Sequence, residues 1–165
     1  MTKPAFAGWR LGSAGVANYV GVFVHLVWAT RQRHPLPDAA IEPAVHDAVA
    51  AACQQLKCRP MAVGGMPDHI HILVALHPTV SLATVVGRAK GSSSHLVSSV
   101  LLPSAPFQWQ SNYGAFSVSP RGVAAVVAYI RNKKQYHADG TLIASLEATD
   151  SSRPPPSSPR ERASS

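Results

Sequence analysis

Two histidines stand one residue apart in MPDHIHILVAL, Met66 to Leu76, inside an otherwise apolar run. The run reads as a strand, where residues i and i+2 point to the same face. His69 and His71 therefore project together, with their Cβ atoms about 6.5 to 7 Å apart. Two neutral imidazoles at that separation can converge on one divalent metal ion. Asp68, beside them in the chain, could orient an imidazole or sit close to the ion. Two ligands alone do not define a site, since metals want a third protein donor or several waters. The plain alternative is a pair of partly exposed sheet histidines that hold nothing.

A second group lies in VVAYIRNKKQYHADG. Tyr129 and Lys133 are i and i+4 on a helical pattern and share one face, which Tyr136 and His137 continue. A tyrosine hydroxyl, with a pKa of about 10, is a poor nucleophile unaided. A metal on a phosphate would polarise the phosphorus and draw charge from the leaving oxygen. Attack by the phenol would then leave a covalent phosphotyrosine. Read alone, Tyr129 is more simply an amphipathic tyrosine at a helix edge.

The elements that must carry these groups follow from hydrophobic periodicity. NYVGVFVHLVWAT alternates and is rich in β-branched and aromatic residues, so it reads as a strand with His25 on the face of Phe23 and Val27. Asp38 caps a helix with Ile41, Val45, Val49, Ala52 and Leu56 on one stripe. RPMAVGGM and HIHILVAL form a hairpin through a tight turn, and Ile70, Ile72 and Val74 face away from the histidines, under the helices. Ser81 caps a second helix, with Leu82, Val85, Val86 and Ala89 inward. FQWQ and YGAFSVS are short strand candidates. Ser119-Pro120 starts a third helix that runs to about His137. The order β-α-β-β-α-β-(β)-α predicts an α+β fold, a ferredoxin-like antiparallel sheet with helices packed on one face.

The chain has 165 residues, 46% of them hydrophobic, enough for one domain with a real core. Residues 1–17 read as a flexible arm, 18–140 as the catalytic domain and 141–165 as a disordered Pro/Ser/Arg-rich tail. A net charge of +7 favours a polyanionic partner, usually nucleic acid. Only eight acids are present, and only Asp68 lies near the histidine pair in sequence, so a carboxylate-cluster site is hard to assemble. Cys53 and Cys58 match no zinc spacing and read as small buried residues. No apolar run of about 18 residues occurs, and the N-terminus is too poor in contiguous apolar residues for a signal peptide. These features place the chain in the cytoplasm. GRAKGSSS lacks the order of a phosphate-binding P-loop, which argues against a nucleotide cofactor.

HLVWATRQR, MPDHIHILVAL, VSLATVVGRAKGSSSHLV, FQWQSNYGAFSVS and VVAYIRNKKQYH together resemble the HUH-type single-strand tyrosine transposases of small bacterial insertion sequences, with REP-associated tyrosine transposases as relatives. The resemblance covers about residues 18–138. It implies that His69 and His71 bind Mg²⁺ or Mn²⁺ and that Tyr129 is the nucleophile. It implies cleavage of single-stranded DNA with a 5′-phosphotyrosine link and a free 3′-hydroxyl that can later rejoin the strand. It further implies a homodimer that recognises hairpins near the element ends.

One departure stands out. The family usually draws its third metal donor from the residue four after the tyrosine, commonly Gln or Asn, and here that residue is Lys133. An ammonium has no lone pair to give. Asn132, Gln135 or His137 could replace the donor; water could fill the position with Lys133 on a DNA phosphate; or the enzyme is weakened and binds DNA without cleaving it. Arg31, Arg33, Arg88, Lys90, Arg131 and Lys134 are the expected phosphate contacts. Trp28, Trp109 and Tyr113 could stack on unpaired bases. A metal-dependent phosphodiesterase with two His-x-Ser/Thr motifs is a further rival, but no such pair is present.

Overall fold

The computed structural model describes residues 19–36, 38–141 and 146–149; the arm at 1–17 and most of the 141–165 tail lie outside them. The elements run β1 (Phe23–Ala29), α1 (Glu42–Gln55), β2 (Arg59–Met66), β3 (His69–Ala75), α2 (Leu82–His95), β4 (Gly114–Val118), α3 (Val123–Arg131) and α4 (Lys133–Ala138). The four strands form an antiparallel sheet in the order β2-β3-β1-β4. This is the split β-α-β arrangement of an α+β, ferredoxin-like fold. FQWQ contributes only an isolated bridge, Trp109 to Thr30.

All seven residues of β1 are buried, because both faces of the sheet are covered. On one face Val24, Leu26, Trp28, Ile70, Ile72 and Val74 pack against Val49, Ala52 and Cys53 of α1 and Val85, Val86 and Ala89 of α2. The caps read from sequence are in place. Asp38 Oδ1 accepts from the Ala40 amide at 2.8 Å, in the short turn before α1, and Ser81 Oγ accepts from the Thr84 amide at 3.1 Å. Cys53 and Cys58 are free and buried, and burial pushes the Cys53 thiol up to about 12.

The third helical segment lies on the other face of the sheet. Val123, Val126 and Ile130 of α3 pack on Phe23, Ala62 and Leu73. The helix begins at Val123 rather than at Pro120, and it breaks at Asn132 (φ −99°, ψ 18°) before α4 resumes at Lys133. Ser119 Oγ instead accepts from the Gly122 amide at 3.2 Å, closing a turn ahead of the helix.

Gly64 sets how closely α3 can dock. A Cβ there would stand 2.6 Å from the Ile130 carbonyl oxygen and 3.1 Å from its Cγ2. Gly64 pairs with His71 across the hairpin, so the tight crossing brings Tyr129, one residue before Ile130, to the histidine. Gly64→Val is therefore expected to destabilise the protein by about 1 to 3 kcal/mol through overpacking. Gly91→Ala is the control: a Cβ on α2 at that position meets nothing, and the helix gains roughly 0.5 to 1 kcal/mol of propensity. Urea unfolding midpoints of the two variants should move in opposite directions.

Candidate active site

The strand alternation of β3 puts His69 and His71 on the sheet face that α3 and α4 cover. Both are buried, His71 completely. Asp68 Oδ1 lies 2.6 Å from His69 Nδ1. A carboxylate only accepts, so His69 carries its proton on Nδ1, and its Nε2 keeps a lone pair. Arg33 holds the other Asp68 oxygen at 3.5 Å. The His71 Nδ1 faces His25 Nε2 at 2.9 Å, with the two rings stacked. With Nδ1–H donating to His25, His71 Nε2 likewise keeps its lone pair.

These two Nε2 atoms are buried and have no hydrogen-bond partner among the described residues. An orphaned pair of imidazole acceptors in one pocket is costly in a dry protein. It is what a divalent-metal site needs. The two lone pairs are a donor set that could hold a divalent ion. His69, His137 and Glu147 also offer ligand atoms that all lie within 4.8 Å of one another, which places His137 at the same site.

Burial lowers the pKa of the three clustered histidines. His25 falls to about 3, from burial and then from neighbouring His71. His69 falls to about 4, from burial against the opposing pull of Asp68. Burial also lowers His71. The unfolded chain binds protons at these groups near pH 6.5 and the folded chain does not. Stability contributed by neutral imidazoles is thus full above pH 6.5 and falls as the pH drops toward 4. The metal-free protein should lose on the order of 2 to 4 kcal/mol between pH 7 and pH 5. Urea midpoints at the two pH values test this, and unchanged midpoints would contradict neutral buried histidines.

Tyr129 stands over His71, ring centroids 6.1 Å apart, and is 1% exposed. Lys133 is equally buried, and its ammonium donates to the Tyr129 oxygen at 2.9 Å. Glu147 completes the cluster. Its Oε1 accepts from both Tyr129 and Lys133, and its Oε2 lies 3.6 Å from the Nε2 atoms of His69 and His71. Burial alone would raise the Glu147 carboxyl, but the hydrogen bonds it accepts from Lys133 and Tyr129 hold it below the usual carboxylate range. Burial lowers Lys133, against the pull of Glu147.

Sequence spacing points to neither His25 nor Glu147 as a site residue. Glu147 lies within the 141–165 tail, and nothing in its spacing ties it to a histidine 76 or 78 positions earlier. His25 carried a faint trace, a polar residue in the middle of an apolar strand.

The expected phosphate contacts divide. Arg88 and Arg131 are exposed. Arg31 is exposed and bonds Gln108 at 2.6 Å, and Lys134 pairs with Glu42 at 3.0 Å. Lys90 is committed elsewhere: its ammonium donates to the carbonyls of Gln110, Ser111 and Asn112 at 2.8 to 3.1 Å, and burial lowers it to about 8. It clamps the loop before β4. Trp28 is fully buried and cannot stack on a base, and Trp109 packs edge-on against it. Tyr113 is the one of the three that remains exposed. Asn132 and Gln135 are exposed, and Gln135 bonds Asp139. No helix among the described residues is long and apolar enough to cross a membrane.

A family described as "Transposase IS200 like" matches residues 18–133. The ISDra2 transposase TnpA of Deinococcus radiodurans is 24% identical over 115 residues, 66% of this chain and 81% of that one. A crystal structure from Deinococcus radiodurans described as a transposase superposes with a TM-score of 0.57 at 22% identity, covering 81% of this chain and all of that one. A REP-associated tyrosine transposase bound to a REP hairpin superposes with a TM-score of 0.55 at 13% identity, covering 80% of this chain and 76% of that one.

Proposed function

Because the chain belongs to the IS200-like transposase family, we propose that it cleaves and rejoins single-stranded DNA through a covalent link to Tyr129. The observation that carries this reading is the placement of the Tyr129 phenol beside two buried histidines with orphaned Nε2 atoms. His69 and His71 would hold Mg²⁺ or Mn²⁺. Such an ion, when bound, supplies charge neutralisation and polarisation at a phosphate.

The chain's own groups do the rest. The phenol oxygen forms a bond to phosphorus as the bond to the 3′-oxygen breaks. The phenol proton leaves to water, Glu147 holds the phenol in place through the hydrogen bond it accepts, and the leaving 3′-oxygen takes a proton from water. Lys133 donates to the phenol oxygen and favours its anionic form. The 5′-phosphotyrosine conserves the bond energy, so the 3′-hydroxyl can reverse the step and rejoin the strand. Arg31, Arg88, Arg131 and Lys134 would track the DNA backbone, giving salt-sensitive binding. The substrate class in this reading is single-stranded DNA with hairpins near the cleavage point. The protein acts in the cytoplasm as a homodimer. Tyr129 faces His71 of its own chain.

A second reading, hairpin binding without cleavage, is favoured by one observation: Lys133 and Glu147 both hold the phenol. A denaturing-gel assay separates the two. Hairpin-flanked single-stranded DNA labelled at either end is incubated with the protein and Mn²⁺. A protein–DNA adduct carrying the label from the 3′ side of the break supports the transposase reading. Intact DNA with hairpin binding retained supports the second.

A further inference from the structure

Resting on the metal-site reading above, we propose that Glu147 supplies the third protein donor for the divalent ion. Its Oε2 joins His69 Nε2 and His71 Nε2. It takes the place left empty by a lysine four residues after the tyrosine.

Three observations support this. The first is distance. Oε2 lies 3.6 Å from each Nε2, too far for a hydrogen bond. Donors bound to one ion at about 2.0 to 2.2 Å stand roughly 3 to 3.6 Å from one another. The second is charge and chemistry. The pocket already holds a buried ammonium, and a divalent ion beside it is repelled unless an anion stands between them. Glu147 does, with Oε1 on Lys133 and Oε2 toward the histidines. Carboxylate oxygen is also the donor type that Mg²⁺ and Mn²⁺ prefer. The third is the fold around the segment. Gly114 of β4 has no Cβ, and a Cβ there would collide with the Ala148 carbonyl. The strand therefore leaves room for the Ala148 backbone, and Thr149, the next residue, is buried.

Lys133 is thus a positioning residue. It fixes one carboxylate oxygen and leaves the other for the ion.

The test is a Mn²⁺ titration of the full chain without DNA, following the free-ion EPR signal. Wild type, Glu147→Gln, Gly114→Val and His69→Ala are compared, with urea unfolding as the check on folding. Glu147→Gln keeps a partner for Lys133. Gly114→Val displaces the segment and leaves Glu147 intact, so a folding failure in one variant still leaves the other to decide. The expected result is Mn²⁺ affinity reduced about tenfold or more in Glu147→Gln, Gly114→Val and His69→Ala alike. Wild-type affinity or tighter in Glu147→Gln and Gly114→Val, with loss only in His69→Ala, would overturn the Glu147 assignment and leave the metal-site reading standing. No binding by wild type, or no loss in His69→Ala, would overturn the metal site itself and Glu147 with it.

Discussion

Tyr129→Phe is expected to reduce the covalent protein–DNA adduct to below about one part in a thousand of wild type, as loss of a nucleophile does. Binding to hairpin DNA should stay within about twofold. The substitution removes one oxygen from a ring that is 1% exposed and wedged between His71 and Tyr136. A phenylalanine fills the same space, so packing is kept. The lost phenol is a partner of Lys133 and Glu147, but those two remain paired with each other. The phenol bonds two charged groups, so the stability cost should be about 1.5 to 3 kcal/mol. Chemistry and folding are thereby separated in one variant. A persistent adduct would point to Tyr136, whose ring lies 5.0 Å from that of Tyr129. Tyr129→Phe/Tyr136→Phe would then be decisive.

The common face of His69 and His71 was legible because strand alternation is a local rule that tertiary context rarely overrides. The caps at Asp38 and Ser81 were legible for the same reason, since side chain and amide lie within three residues. The face that α3 covers was not, because an apolar stripe says that a helix is buried and not against which side of a sheet. The break at Asn132 also escaped the pattern. VVAYIRNKKQYH keeps helical spacing throughout, and only the docking of Ile130 against Gly64 shows where the helix is pinned. His25 needs the register of β1 against β3 to reach His71 across 46 residues. Glu147 needs more still: a slot made by the absence of a side chain at Gly114. Basic residues were a mixed case. Composition indicates a polyanionic partner, but only the carbonyls around Lys90 reveal that this cation serves the fold.

Lys133→Met should destabilise the metal-free protein by about 3 kcal/mol, and Glu147→Gln in the same chain should restore much of that loss. Lys133 is 1% exposed and Glu147 is half-buried, so the pair sits largely out of water. Removing one partner of a buried pair leaves an uncompensated charge, which costs about 3 to 5 kcal/mol. The partial exposure of Glu147 argues for the lower end. Neutralising the orphan removes the penalty, so the two substitutions cannot be additive. A double-mutant cycle from urea unfolding at pH 7 should give a coupling of about 1 to 3 kcal/mol. Additivity within about 0.5 kcal/mol would show that the contact contributes nothing. The same cycle bears on the chemistry. The resemblance implies a lone pair at this position, where the chain carries an ammonium, and an ammonium beside a divalent ion would be tolerable only where an anion faces it. Strong coupling would mean that Lys133 and Glu147 work as one unit, with the charge of the first fixing the carboxylate of the second. Weak coupling would leave Lys133 as a buried cation against the histidines, an arrangement that opposes a divalent ion and favours a protein that binds hairpins without cutting them.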